Sequence, residues 1–193
     1  MASKWNLPEP EDVLFRIQRG LSGYVSYLAA CEMNPSFSEY VLYEPILRIL
    51  TARGYYVQCE VEAPGVKHPK KGDRKRLDFV ACGNGVRFAL EVKWAQSLKL
   101  DIARDFEKLA AFRKKGKKQD ERAFLCVFGR QSNIQSVVLK PAIPSQPLDI
   151  VVAGLKKTRF GCRVFEVSPS NAMKPTPLAG SRRPAGSHVA RRS

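Results

Sequence analysis

Residues 76–94 read RLDFVACGNGVRFALEVKW, two short apolar runs on either side of Asn84-Gly85. An Asn-Gly pair between apolar runs is the strongest short-range signal for a β-hairpin with a two-residue turn. Such a turn sets Gly83 opposite Val86, and the pairing then runs outward through Cys82 and Arg87, Ala81 and Phe88, Val80 and Ala89, and Phe79 and Leu90. Asp78 falls opposite Glu91. Opposed residues on antiparallel strands share a face, with Cβ atoms about 5 Å apart. Lys93 shares that face because side chains alternate with period two. The open end of the hairpin therefore gathers two carboxylates and an ammonium, a set suited to holding a divalent metal and activating a water beside a phosphodiester.

The two faces of the hairpin differ. Phe79, Ala81, Phe88, Leu90, Val92 and Trp94 make one wholly apolar face. The other carries Asp78, Glu91 and Lys93 above Val80 and Ala89. Both faces are expected to be partly covered, with the polar trio at a rim. Glu91 and Lys93 interrupt an otherwise apolar strand, which is costly at a buried position without a purpose.

Outward from the hairpin, the pattern predicts a helix over residues 12–33, with Val13, Leu14, Ile17, Leu21, Tyr24, Val25 and Leu28 at helical spacing. Asn34-Pro35 breaks it. Ser36 or Ser38 can cap a second helix running to Arg53, with Gly54 as its stop. Tyr55 to Val61 reads as a strand, and residues 64–76, PGVKHPKKGDRKR, as a basic loop. Asp101 can cap a helix with Ile102, Phe106, Leu109 and Ala110 as its buried stripe. Ala123 to Phe128 is continuously apolar, as a strand covered on both faces would be. A short helix over 132–139 and a strand over 161–167 follow, with residues 140–160 ambiguous. From Ser168 onward the composition shifts to Pro, Ser, Gly, Ala and Arg with no acidic residue, which predicts a disordered tail.

The chain has 193 residues, a formal net charge of +15 and 44% hydrophobic residues. That is enough for a core, and the charge makes a polyanion, nucleic acid first, the expected partner. No apolar run reaches the roughly 18 residues of a membrane span, and the first residues do not read as a secretory signal. A cytoplasmic location is expected. The five cysteines are scattered and form no CxxC; they are expected to be small apolar fillers in a reducing compartment. With only His68 and His188, a histidine-rich metal site is excluded.

The order helix, strand, hairpin, helix, buried strand, with Asp78 and Glu91-x-Lys93 in LDFV and FALEVKW, resembles the PD-(D/E)XK nuclease superfamily. A further match lies in YEPILRILTARGYYVQCEVEAP, where Glu44 stands on a helix ten residues before Gly54. The resemblance covers roughly residues 38–130, with Leu77 where the family name has proline. It implies a restriction endonuclease-like fold: three α/β/α layers around a central mixed sheet, an α-β-β-β-α-β core with an extra N-terminal helix. The corresponding division is an N-terminal helical extension at 1–35, a nuclease-like core at 36–167 and a basic tail at 168–193.

The resemblance carries Asp78 and Glu91 over as metal ligands, Lys93 as the residue positioning or activating the attacking water, and Glu44 as an auxiliary catalytic acid and metal ligand. Glu39 is a rival for that last role, and Glu60 or Glu62 could also approach the metal. The implied function is a Mg²⁺-dependent DNA endonuclease, with Mn²⁺ able to substitute. Double-stranded DNA is the expected partner, a homodimer is compatible, and no membrane is involved. Phosphate contacts are expected from Lys67, Lys70, Lys71, Arg74, Lys75 and Arg76 in the basic loop. Arg104 and Lys108 on the following helix, which can project toward the site or toward solvent, and Lys114, Lys115, Lys117 and Lys118 at its end, are expected to add to them. The competing reading is a non-catalytic nucleic-acid-binding module on the same fold, with an architectural or regulatory role.

Overall fold

Asn84 and Gly85 form the turn that the sequence predicts, both with positive φ, 52° and 77°. A two-residue turn of this kind matches the twist of its strands and asks for residues that tolerate the left-handed region. The computed structural model describes residues 9–33, 37–67, 75–96, 102–115, 121–136, 142–144, 151–154 and 157–167. The expected tail, the caps at Ser36 and Asp101, His68, and the basic residues Lys70, Lys71, Arg74, Lys117 and Lys118 lie outside the described residues.

The turn joins β2 (Arg76–Gly83) to β3 (Val86–Ala95). The register is the expected one, from Gly83 and Val86 out to Phe79 and Leu90. Asn84 also donates its side-chain N–H to the Arg53 carbonyl at 3.0 Å. That bond ties the hairpin tip to the end of α2 (Tyr43–Ala52), which leads into β1 (Tyr56–Glu62). β1 is antiparallel to β2. β3 is parallel to β4 (Glu121–Arg130), and α3 (Ala103–Lys115) lies between them in sequence. β7 (Phe160–Val167) is antiparallel to β4. The outer edge of β7 is divided between β5 (Ala142–Pro144) near its end and β6 (Val151–Ala153) near its start. The sheet is therefore mixed, in the order β1-β2-β3-β4-β7-β5, with β6 beside β7. The two strands β5 and β6 fall within residues 140–160, where the sequence signals are ambiguous.

Each face of the sheet has its own core. Phe79, Ala81, Phe88, Leu90 and Val92 are buried with Phe124, Cys126 and Phe128 of β4 under α1 (Glu11–Ala30) and α2. Val80 and Ala89 are buried with Ala123, Leu125 and Val127 under Phe106, Leu109 and Phe112 of α3. The run AFLCVF thus alternates between two covered faces, which is why it carries no polar position. The result is a three-layer α/β arrangement. α1 is integral to its layer, because Val13, Leu14, Ile17 and Leu21 are in the shared core. Its polar face is used as well: Gln18 donates to the Cys162 carbonyl at 3.1 Å, and Ser22 and Ser26 to the carbonyls of Val151 and Ala153 at 2.8 Å each.

Two expectations need correction. The helix predicted from Ser36 or Ser38 to Arg53 begins instead with a 3₁₀ turn at Glu39–Leu42, and α2 proper starts at Tyr43. Pro45 accounts for this: a proline ring clashes with the carbonyl four residues earlier, here Val41, so a continuous α-helix cannot run through that point. The cysteines are not uniformly buried fillers. Cys126 and Cys162 are buried, whereas Cys31, Cys59 and Cys82 are exposed. Cys59 stands on β1, an edge strand whose side chains are mostly exposed. Among the described residues, no helix is long and apolar enough to cross a membrane.

The hairpin also passes close under the α2–β1 connection. A Cβ added at Gly83 would fall 2.8 Å from the Gly54 carbonyl oxygen and 3.1 Å from Tyr55 Cα, backbone atoms that cannot simply step aside. Gly83→Ala is expected to cost about 1–3 kcal/mol of stability, measured by chemical denaturation. A variant as stable as the parent would show that this approach is looser than described.

Candidate active site

Asp78 and Glu91 come together where β2 and β3 part. The ladder of paired residues stops at Phe79 and Leu90, and the Asp78 side chain takes over the next hydrogen bond, with Oδ2 accepting from the Val92 N–H at 2.7 Å. Its Oδ1 accepts from the Tyr43 hydroxyl at 2.6 Å. That hydroxyl also lies 3.2 Å from Glu60 Oε1. The carboxylate is thus clamped between a strand backbone and a residue of α2. The hairpin pattern alone sets Asp78 simply across from Glu91 on one face. The burial pattern explains the difference: Leu77 belongs to the core under α3, but Phe79 belongs to the core under α1 and α2. Strict alternation is lost at Asp78.

Glu91 is 1% exposed. Its Oε2 accepts from Lys108 Nζ at 2.7 Å, while its Oε1 is buried without a hydrogen-bond partner among the described residues. Burial, then the nearby Asp78 charge, pushes the Glu91 carboxyl up to about 9, outweighing the pull of Lys108. Burial raises Asp78 too, against the opposing effect of its bonds from Tyr43 and Val92. Both shifts follow first from taking carboxylates out of water; the charge of Asp78 adds to the shift of Glu91, and that of Asp105 to both.

Lys93 is engaged by a different pair of carboxylates: its ammonium lies 3.5 Å from Glu39 Oε1 and 3.3 Å from Asp105 Oδ2. Burial disfavours its charge, but Asp105 and Glu39 more than compensate, so it is held protonated. Asp105 is a hinge between the two lysines, because its other oxygen is 3.2 Å from Lys108. Glu39 Oε1 in turn accepts from the Trp94 N–H at 3.1 Å. Glu39, Lys93, Asp105, Lys108 and Glu91 therefore form one continuous chain of ion pairs; Asp78 is linked to it by charge and through the Val92 N–H, and to α2 by Tyr43.

The structure does not bring Glu44 into it. Glu44 is 60% exposed and pairs with Arg48 one turn along α2. The 3₁₀ turn forced by Pro45 is the reason Glu39, its rival, arrives instead. Glu60 reaches the site through Tyr43, and Glu62 is exposed on β1. Of the two directions open to Lys108, the structure takes the one toward the site: it is 12% exposed and turned onto Glu91, Asp105 and the Arg76 carbonyl, which leaves it little freedom to meet a phosphate. It stands three residues after Asp105, so both project from the same side of α3. Sequence reasoning misses Asp105, although a signal exists: it falls within the stripe of Ile102, Phe106 and Leu109, where a carboxylate needs a partner to be buried. Tyr43 has no sequence signal.

The basic surface is only partly visible. Lys67, Arg76, Arg104, Lys114 and Lys115 are exposed. Lys75 pairs with Glu107 at 2.8 Å, which reduces its freedom to meet a phosphate.

Asp78 and Glu91 fit a hard divalent cation such as Mg²⁺, which takes oxygen ligands and is commonly held by one or two carboxylates with waters completing its shell. Two observations support the fit. Glu91 Oε1 is buried and unpartnered among the described residues. When ionised, the four carboxylates Asp78, Glu91, Asp105 and Glu39 are met, among the described residues, by the two ammoniums Lys93 and Lys108, a formal charge of −2. Among the described residues no three His, Cys, Asp or Glu side chains converge as a ready-made metal cage, so ligands from water or substrate would be needed. Comparison with protein-family models, curated proteins and solved structures returns no match.

The raised Glu91 pKa has a consequence for stability. The unfolded chain gives up this proton above about pH 4.5, and the folded protein keeps it until pH approaches 9. The group's contribution is whole below pH 4.5 and drains away as pH rises toward 9. In chelator, Glu91→Gln, which cannot ionise, is expected to be more stable than the parent by up to about 3 kcal/mol at pH 7. The gain should vanish near pH 4. Thermal denaturation across that range checks this, and a variant less stable than the parent at pH 7 contradicts it.

Proposed function

We propose that this chain is a metal-dependent nuclease that hydrolyses phosphodiester bonds, with a restriction endonuclease-like fold of the PD-(D/E)XK kind. The observation that carries the proposal is the pair Asp78 and Glu91 at the fork of the hairpin, with Glu91 Oε1 buried and unpartnered among the described residues and Lys93 two residues along. Functional sites are where burial and like charges are set against each other in this way, although structural networks can do so too. The substrate we propose is double-stranded DNA, cut internally, in the cytoplasm. The net charge of +15 supports a polyanionic partner.

In this reading Asp78 and Glu91 hold Mg²⁺, or Mn²⁺ in its place. The bound ion supplies Lewis-acid polarisation of the phosphate and a more acidic water. Tyr43 and the Val92 N–H fix the rotamer of Asp78, so its free lone pairs point the same way in every molecule. Lys93, kept cationic by Asp105 and Glu39, orients the attacking water and offsets the negative charge that grows on the phosphoryl oxygens. Glu39 takes the auxiliary position that the resemblance gave to Glu44.

A second reading, a non-catalytic nucleic-acid-binding module, is favoured by one observation. Lys108 already bonds Glu91 at 2.7 Å, so the cluster has a cation of its own. Incubation of the purified protein with plasmid, linear duplex, single strand and RNA, in Mg²⁺, Mn²⁺ or EDTA, separates the two. The nuclease reading expects metal-dependent nicking or cutting of plasmid that is abolished by Asp78→Asn, Glu91→Gln and Lys93→Ala. Glu39→Gln should weaken cleavage and Glu44→Gln should leave it unchanged. Tight binding with no cleavage in any metal supports the non-catalytic module instead.

Phosphate-dominated binding also has a salt signature. Changing Lys70, Lys71, Arg74 and Lys75 together to Ala should flatten the dependence of log affinity on log salt by several units, about 0.9 for each duplex phosphate that is no longer neutralised. An unchanged slope would mean that this loop faces away from the nucleic acid.

A further inference from the structure

Lys108 joins three elements at one point. Its ammonium is 2.7 Å from Glu91 Oε2 on β3, 3.2 Å from Asp105 Oδ1 on α3, and donates at 2.8 Å to the Arg76 carbonyl at the start of β2. Arg76 lies two residues before Asp78. The ammonium therefore sits on the same carboxylate that, in the proposed function, a divalent cation must use. The stem is buried along with it, since the side chain is 12% exposed and that of Glu91 is 2% exposed.

We propose that Lys108 is a tethered competitor for the divalent cation: it occupies Glu91 in the free protein, and the cation gains that carboxylate by displacing it. The inference rests on the reading of Asp78 and Glu91 as cation ligands. Three features support it. An ammonium and a dication on one carboxylate repel each other strongly at such separations, even with substantial screening. Displacement leaves Lys108 provided for, because Asp105 and the Arg76 carbonyl stay beside it, so only one of its three partners is exchanged. The exchange also leaves the site better balanced: with Glu91 ionised, as a cation ligand must be, a dication offsets the formal charge of −2 that two lysines leave unmatched. The lysine thus keeps the site folded without metal and sets a threshold concentration for loading it.

The test is calorimetric titration of the full chain with MnCl₂, comparing the parent with Lys108→Met and Lys108→Gln, each with and without Glu91→Gln. Met keeps the volume of the stem and removes the charge. Gln keeps a donor toward Glu91 and Arg76, and so covers the case in which Met disturbs the fold. Both are expected to bind Mn²⁺ about tenfold or more tightly than the parent. The thermal shift at saturating Mn²⁺ should be correspondingly larger. Glu91→Gln should remove the difference. If the parent binds Mn²⁺ through Glu91 and the Lys108 variants bind equally or more weakly, Lys108 is not a competitor, while the cation site stands. If none of the proteins binds Mn²⁺ in a way that depends on Glu91, the cation site and the inference fail together.

Discussion

A carboxylate buried in the middle strand of a sheet must find a counter-charge, and the arrangement around Glu91 is a response to that demand. Glu91 stands among apolar neighbours on β3, 1% exposed, with Asp78 beside it. Desolvation and the like charge act in the same direction, and Lys108 does not outweigh them. What remains is a site short of positive charge, with one oxygen still unpartnered among the described residues. Such a site is expensive to keep without a use, because an apolar residue at the same position would stabilise the strand. The geometry around it is correspondingly determined. Asp78 is clamped from two sides, Asp105 bridges two lysines, and Glu39 is fixed by a backbone N–H.

The support for these carboxylates comes from secondary structure rather than from loops. Tyr43 is on α2, Asp105 and Lys108 are on α3, and the carboxylates are on two strands that diverge between them. The helices on opposite faces of the sheet therefore both contribute to one edge of the network. Rigid elements hold side chains to tighter tolerances than loops do, and this is the kind of placement that positioning a water against phosphorus requires. Lys108 belongs to the same framework: it gives Glu91 and Asp105 a partner from α3.

Much of this was legible in the sequence, for identifiable reasons. Turn chemistry at Asn84-Gly85 determined the register from Gly83 to Phe79, and register determined which residues face which core. The continuous run AFLCVF signalled a strand covered on both faces. The bond from the Val92 N–H to Asp78 was not legible, because it depends on where β2 and β3 diverge and on a backbone N–H left free there. Pro45 could have warned that the preceding turn would not be α-helical, and with it that Glu39 rather than Glu44 would reach the site. Asp105 could have been found from the buried stripe of α3. Tyr43 could not, since an aromatic residue on a helix is ordinarily core. The formal charge pointed to a polyanion, but counting lysines did not distinguish Lys108, which turns inward, from Lys114, which is exposed.

The central claim is that Asp78 and Glu91 together bind a divalent cation, and the most direct measurement is anomalous diffraction from crystals soaked in Mn²⁺. The account predicts an anomalous peak contacted by carboxylate oxygens of both residues, with Lys108 moved off Glu91 and still beside Asp105. A well-ordered map with no peak there, and Lys108 still bonded to Glu91 at saturating Mn²⁺, would contradict it.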